Sequence, residues 1–220
     1  MKDESNSFGP MTHTEKERRH SLVGPAHLWK MKRDFQIKFL KDMNLKPDHY
    51  LLEIGCGTLR GGIPLIDYLK DGHYFGAEIR AEALEEGRKE LREAGLEGKN
   101  PTLLLSPDIS KLVVDRKFDY IWAFSVLIHM YDEILNDTLS FVRSHLLEEG
   151  VFYANVKYGE KADGHWQGFP VVTRNIDFYH QACSKNGLVV SDIGPIKNFG
   201  HITNIEEQDN NRMLKIQIKA

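Results

Sequence analysis

The chain has 220 residues, of which 41% are hydrophobic and 28% charged, and its net charge is −3. These values are typical of one globular domain with a sizeable core. They exclude a general attraction to phosphate backbones, so nucleic acid is disfavoured as a partner.

The small number of cysteines and the lack of long apolar runs narrow the class of protein further. Cys56 and Cys183 are the two cysteines, and they form no CxxC or Cys/His cluster, so neither a disulfide framework nor a metal site is expected. The first residues have no apolar core of a secretory signal, and no stretch approaches the roughly 20 apolar residues that span a bilayer. We therefore expect a cytoplasmic protein with no membrane partner.

The first elements in chain order are a polar arm and a helix. Residues 1–27 contain few aliphatic side chains, which predicts either a disordered tail or an arm that orders over a bound substrate. Residues 28–45 carry apolar side chains at helical spacing, and this helix should end before Pro47.

Strands and helices then alternate along the chain. The predicted strands are residues 50–54, 73–79, 102–105, 118–124, 150–156, 188–193 and 213–218, and the predicted helices are 61–69, 81–94, 131–147 and 176–186. This order predicts an α/β fold with helices on both faces of a mostly parallel seven-stranded sheet. Residues 194–212 show little amphipathic helical pattern, so the last strand should return antiparallel. We expect residues 28–220 to form a single domain.

A glycine-rich turn after the first strand carries the most specific information. Gly55 and Gly57 would let a ligand approach the backbone, but Arg60 occupies the third glycine position of the dinucleotide fingerprint. The carboxylate of Glu53 would repel a pyrophosphate and would suit a ligand with an ammonium and a sulfonium. Glu78 follows Gly57 by 21 residues, near the spacing at which a carboxylate meets ribose hydroxyls. An NAD-dependent oxidoreductase is therefore disfavoured.

These residues resemble the motifs of one family. The segment 53–57, Glu-Ile-Gly-Cys-Gly, resembles the first motif of the class I S-adenosylmethionine-dependent methyltransferases, and 76–78, Gly-Ala-Glu, resembles the second. The resemblance runs from residue 50 to the C-terminus, and the helix before it is similar to that of small-molecule members. It implies a Rossmann-like fold, with the last strand antiparallel, and S-adenosylmethionine as cofactor. The chain departs from many members at Leu59, where they carry a third glycine.

The resemblance also implies roles for individual residues. Glu78 should bind the ribose hydroxyls, Asp108 with Ile109 beside it should meet the adenine amine, and Ser125 should contact the methionine end. The other residues expected at the cofactor are Glu53, Gly55, Cys56, Gly57 and Ile79. The alternatives are an exposed strand-end carboxylate for Glu78 and a simple turn residue for Asp108.

Two histidines are candidates for proton transfer. His129 follows the fourth strand, at the sheet edge where ligands bind, and its neutral imidazole could accept a proton. The alternative is a histidine that orients the loop or caps the next helix. His165 is the second candidate, within residues 157–172, whose glycines and aromatic side chains suggest a substrate lid or an ordinary surface loop.

We therefore expect methyl transfer to a small molecule, such as the hydroxyl of a sugar or a secondary metabolite. An RNA or protein methyltransferase is the first alternative. Residues 125–128, Ser-Val-Leu-Ile, stand where amino-directed enzymes of that kind carry an Asn-Pro-Pro-Tyr-like element. The second alternative is a non-catalytic module that binds S-adenosylmethionine. A homodimer is left open.

Overall fold

The computed structural model describes residues 14–159, 162–166 and 168–219. The helices are α1 (Glu15–Ser21), α2 (Trp29–Asp42), α3 (Gly62–Tyr68), α4 (Ala81–Glu93), α5 (Asp132–His145), α6 (Ile176–Lys185) and α7 (Glu206–Asp209). The strands are β1 (Leu51–Ile54), β2 (Tyr74–Glu78), β3 (Thr102–Leu105), β4 (Phe118–Ala123), β5 (Leu146–Val156), β6 (Gly164–Trp166), β7 (Phe169–Val171), β8 (Leu188–Pro195) and β9 (Arg212–Ile218).

Seven strands form one sheet in the order β3-β2-β1-β4-β5-β9-β8. The first five pair in parallel, whereas β9 is antiparallel to both β5 and β8. The prediction of a mostly parallel sheet with an antiparallel last strand is confirmed. The connection before β9 holds only a 3-10 turn and the four-residue α7, too little helix for a parallel crossover.

Two cores cover the two faces of the sheet, because successive side chains of a strand point to opposite sides. Leu52 of β1 packs in the core that contains α5 and α6. Leu51, its neighbour, packs in the core that contains α2, α3 and α4. Among the described residues, none of the helices is long and apolar enough to cross a membrane.

The N-terminal segment differs from the predicted disordered arm. Residues 1–13 lie outside the described residues, but α1 forms a helix that begins at a capping box between Thr14 and Glu17. Arg19 is buried and binds three carboxylates of α4, on Glu86 at 3.1 Å, Glu90 at 3.0 Å and Glu93 at 2.8 Å. The polar composition that indicated disorder serves ion pairs to α4 instead.

The predicted lid, residues 157–172, contains a two-stranded antiparallel ribbon of β6 and β7. Its aromatic side chains Trp166 and Phe169 both contact the ring of His129, with centroids 5.7 and 5.9 Å apart. The ribbon therefore stands at the end of β4, above the carboxyl edge of the sheet.

Candidate functional site

A cavity of about 850 Å³ opens at the carboxyl edge of the parallel strands. Its walls include the turn after β1, the end of β2, residues 106–109 after β3 and residues 124–126 after β4. Residues 23–25 and the β6–β7 ribbon also line the cavity. The cavity lies where the strand order reverses between β1 and β4, which is the usual ligand site of an open α/β sheet.

The turn after β1 is built from residues in the left-handed region. Gly55 and Gly57 have φ values of +72° and +55°. A Cβ on Gly55 would approach Val126 Cγ2 to 2.5 Å, so this position excludes a side chain. Leu59 also has a positive φ, +57°, although it is not a glycine. Because its side chain is fully buried in the core, packing offsets the backbone strain, and the turn keeps its shape without a third glycine.

Glu78 lies at the end of β2 and is buried, in contrast to the exposed strand-end carboxylate considered above. One carboxylate oxygen accepts the backbone N–H of Gly57 at 2.8 Å. The other accepts the N–H groups of Ile79 and Arg80, each at 3.0 Å. The side chain thus ties β2 to the glycine turn while it lines the cavity.

Glu53 is 3% exposed and accepts a hydrogen bond from the hydroxyl of Tyr74. Burial raises its pKa to about 7, although the Tyr74 hydrogen bond and the charge of Arg60 act in the opposite direction. A cation in the cavity would favour the carboxylate form. Glu53 is therefore suited to a ligand that carries an ammonium.

The segment after β3 supplies the wall where the resemblance placed the adenine. Asp108 caps a 3-10 turn by accepting the Ser110 N–H at 2.9 Å, and it also lines the cavity with Ile109. Hydrogen bonds from Ser110 and Lys111 lower the pKa of Asp108, so it is a carboxylate at neutral pH. Ile79 is 50% exposed and presents an apolar surface to the same cavity. A flat ring with an exocyclic amine would match this combination.

Ser125 and Cys56 also line the cavity. Ser125 has a left-handed φ of +59°, and its N–H donates to the side-chain oxygen of Asn155 at 2.6 Å. This bond fixes the backbone directly after β4. Cys56 is buried, and burial raises the pKa of its thiol, so it contributes packing and not a thiolate.

His129 is held in a defined orientation at the cavity wall. Its Nδ1 lies 2.7 Å from the carbonyl oxygen of Pro170. A carbonyl can only accept, so Nδ1 carries the proton and Nε2 keeps a free lone pair. Burial lowers the pKa of the imidazole, with opposition from the Pro170 hydrogen bond, so the neutral base form prevails at neutral pH.

His165 does not share this position. It lies in β6 between Gly164 and Trp166, it is exposed, and it is not among the residues that line the cavity. Trp166 does line the cavity, and adjacent residues of a strand point to opposite faces. A role of His165 in proton transfer therefore stays a prediction, and the position of its side chain does not support it.

Three buried cationic or basic side chains of the cavity were not predicted as site residues by the sequence analysis. They are Lys32 of α2, Arg60 in the glycine turn and His201 after β8. Burial lowers the pKa of Lys32 to about 8, that of Arg60 to about 10 and that of His201 to about 4. The sequence could have indicated Lys32, because this residue falls on the apolar stripe of α2, where a lysine is unexpected.

Comparisons with known proteins agree with this geometry. Residues 52–152 match a family model described as a methyltransferase domain. A crystal structure of an S-adenosylmethionine-dependent methyltransferase from Clostridium acetobutylicum is similar, with 17% identity and a TM-score of 0.66 over 87% of this chain and 92% of that one. At such identity the likeness shows the fold. The comparison with curated proteins found no match.

Two further solved structures share the fold. Magnesium protoporphyrin IX methyltransferase from Synechocystis, with bound S-adenosylmethionine, has 17% identity and a TM-score of 0.65 over 89% of this chain and 81% of that one. A glycopeptide N-methyltransferase has 16% identity and a TM-score of 0.64 over 86% of this chain and 90% of that one.

Proposed function

We propose that the chain is a class I S-adenosylmethionine-dependent methyltransferase that methylates a small-molecule acceptor on a hydroxyl group. The match of residues 52–152 to a methyltransferase domain model supports the first part of this proposal. The observation that carries the proposal is the orientation of His129, whose unprotonated Nε2 is available at the cavity wall. A sugar or a secondary metabolite is the acceptor class that we favour. The proposed setting is cytoplasmic.

The cavity residues fit the cofactor in their chemistry. S-adenosylmethionine, when bound, supplies a methyl group activated by a sulfonium leaving group. Glu78 is placed to accept ribose hydroxyls beside Gly57, and Asp108 with Ile79 would hold the adenine. Glu53 would pair with the ammonium group, and the buried Arg60 Nε, which has no hydrogen-bond partner within the described residues, would bind the neighbouring carboxylate.

Proton removal from a hydroxyl is the task that requires a base. A hydroxyl has a pKa far above neutral pH, so a positioned base contributes typically 10²- to 10⁴-fold to the rate. Nδ1 of His129 is committed to Pro170, which leaves Nε2 to accept the proton. Trp166 stacks against the imidazole at 5.7 Å and limits its rotation. Turnover should therefore depend on His129 more than on any other ionisable group of the cavity.

The acceptor would bind beside the aromatic side chains of the ribbon. Trp166 and Phe169 line the cavity next to His129, and the guanidinium of Arg80 lies 5.5 Å from the Phe169 ring. Aromatic faces pack against the flat or apolar faces of sugars and polyketide-like rings. We therefore favour a small organic molecule as the acceptor. Packed against this wall, it would exclude water from the reaction site.

His129→Ala tests the proposal, with His165→Ala as the matched control. S-adenosylhomocysteine formation would be followed with a panel of hydroxylated metabolites and their amino analogues. We expect His129→Ala to lower turnover by roughly 10²- to 10⁴-fold, since it removes the base. Its affinity for S-adenosylhomocysteine, measured by isothermal titration, should barely change. The acidic limb of the parent pH–rate profile should lie below 6.5, because the pKa of His129 is lowered.

The control variant alters an exposed histidine of the same ribbon, so it should keep parental turnover. Near-normal turnover of hydroxyl acceptors by His129→Ala would contradict the role of His129 as the base and would assign it a structural role. A panel in which only amines react would overturn the hydroxyl assignment.

A further inference from the structure

A second polar cluster lies in the same cavity, away from the glycine motif in sequence. Lys32 comes from α2, Gln208 from α7 and His201 from the segment after β8. All three line the cavity. They lie outside residues 52–152, which match the methyltransferase model and contain Glu53, Glu78 and Asp108.

His201 is buried without adequate partners. It is 2% exposed, and neither ring nitrogen has a hydrogen-bond partner within the described residues. Its Nδ1 is 3.4 Å from Asp209, but that carboxylate already accepts the N–H and hydroxyl of Thr203, at 2.8 and 2.7 Å, and the N–H of Asn204. A buried polar group without a partner is costly, so a donor here is expected to meet a ligand.

Lys32 adds a charge to the cluster. It is 8% exposed, and its ammonium donates one hydrogen bond, to Gln208 at 3.2 Å. An ammonium has three protons to donate, so this buried group retains capacity for a further acceptor. An ammonium and an imidazole N–H directed into one cavity favour an oxyanion.

We propose that Lys32 and His201, with Gln208, bind a carboxylate carried by the methyl acceptor. This inference rests on the proposed function and specifies the acceptor as an acid with a hydroxyl group. The carboxylate of the cofactor would have its own partner in Arg60, whose Nε has no hydrogen-bond partner within the described residues. The cluster lies on elements outside residues 52–152, and function is determined by such sites and not by the fold itself.

Lys32→Met tests the proposal because it removes the ammonium and keeps the aliphatic stem. Lys38→Met, which alters an exposed lysine of the same helix, is the matched control. The probes are benzoate and the neutral benzyl alcohol, added to each protein saturated with S-adenosylhomocysteine. The readouts are the melting temperature and the dissociation constant from isothermal titration.

We expect benzoate to bind the saturated parent and the control alike and to raise their melting temperatures, whereas benzyl alcohol should not. Lys32→Met should lose benzoate affinity by about tenfold or more, as for a hydrogen bond to a charged group. Its affinity for S-adenosylhomocysteine should stay within about twofold. His201→Phe, which keeps the ring packing on Phe35 and Phe124, should also weaken benzoate.

Other outcomes overturn the proposal in separable ways. If Lys32→Met weakens S-adenosylhomocysteine but not 5′-methylthioadenosine, which lacks the amino-acid part, the cluster binds the cofactor carboxylate instead. Equal responses to benzoate and benzyl alcohol in the saturated parent would mean that no anion subsite exists, with the methyltransferase assignment intact. A parent that does not bind S-adenosylhomocysteine would contradict the proposed function itself, and benzoate titrated into the free protein would still decide whether Lys32 binds an anion.

Discussion

At the scale of single residues, Glu78 combines a structural and a ligand-binding position. Both of its oxygens accept backbone N–H groups, one from Gly57 and the other from Ile79 and Arg80. A glutamine has one acceptor oxygen and cannot satisfy both sides. The shape of the glycine turn therefore depends on both oxygens of the Glu78 side chain.

Glu78→Gln should lower the free energy of unfolding by roughly 1–3 kcal/mol, the cost of leaving a buried donor without its partner. It should also weaken S-adenosylhomocysteine by about tenfold or more, because a charged acceptor for the ribose is lost. Urea unfolding and isothermal titration measure the two effects. Glu82→Gln, an exposed carboxylate on α4, serves as the control. Unchanged affinity in a folded Glu78→Gln protein would show that the ribose lies elsewhere.

Residues with local sequence motifs could be predicted, and residues placed by tertiary packing could not. Gly55, Gly57 and Glu78 lie in short segments whose spacing reports their geometry, and all three line the cavity. Lys32 and His201 are 169 residues apart, and only the packing of α2 against the segment after β8 brings them together. The side of the ribbon on which His165 lies could not be predicted, because strand alternation within the ribbon was not visible in a glycine-rich sequence.

At the scale of elements, the segment that follows α1 closes one side of the cavity. The carbonyl of Leu22 accepts Arg80 Nη1 at 2.9 Å, and that of Val23 accepts Arg60 Nη1 at 2.8 Å. Ion pairs of Arg19 to α4 hold the helix in place. Composition alone left a disordered tail and an ordered arm open here, because disorder and a charge-paired surface helix require similar residues.

Arg19→Met should undock α1, since removing one partner of buried ion pairs costs about 3 kcal/mol or more. We expect faster hydrogen exchange at residues 15–21 and weaker S-adenosylhomocysteine binding, because residues 23–25 form part of the cavity wall. Arg18→Met is the comparison, since Arg18 pairs at the surface and such pairs contribute little. Equal exchange in the two variants would mean that packing of His20 on Trp29, not Arg19, holds the helix.

At the scale of the whole molecule, the cavity lowers the stability of the ligand-free protein. Its buried ionisable groups include Glu53, Lys32, Arg60 and His201, and burial opposes the charged form of each. The two-sided core supplies the stability that offsets this cost. Charged groups that are already held in place can bind a ligand without further rearrangement of the protein. The fold could be predicted from strand order, whereas this cost follows from burial, which a sequence does not display.

The destabilisation caused by burying Glu53 can be measured, because it makes the free energy of unfolding depend on pH. The pKa of Glu53 is about 7 in the folded protein, whereas the unfolded chain releases this proton near the ordinary glutamate pKa of 4.5. Folding therefore takes up a proton in this interval, and the contribution of Glu53 to stability is lost as pH rises through it, by up to about 3 kcal/mol. The pKa of His201 is lowered, so below its ordinary value of 6.5 this residue makes stability rise with pH. The parent protein alone therefore does not isolate the effect of Glu53.

The variant Glu53→Gln isolates the effect of Glu53, because glutamine stays neutral. Its unfolding free energy relative to the parent should rise between pH 4.5 and 7 and then level off. Urea unfolding across this range would measure the difference, with the exposed Glu97→Gln as control. The same variant should bind S-adenosylhomocysteine more weakly, since it lacks the charge for the ammonium. A constant difference from pH 4.5 to 8 would mean that Glu53 is ionised throughout, with Arg60 and Tyr74 outweighing its burial.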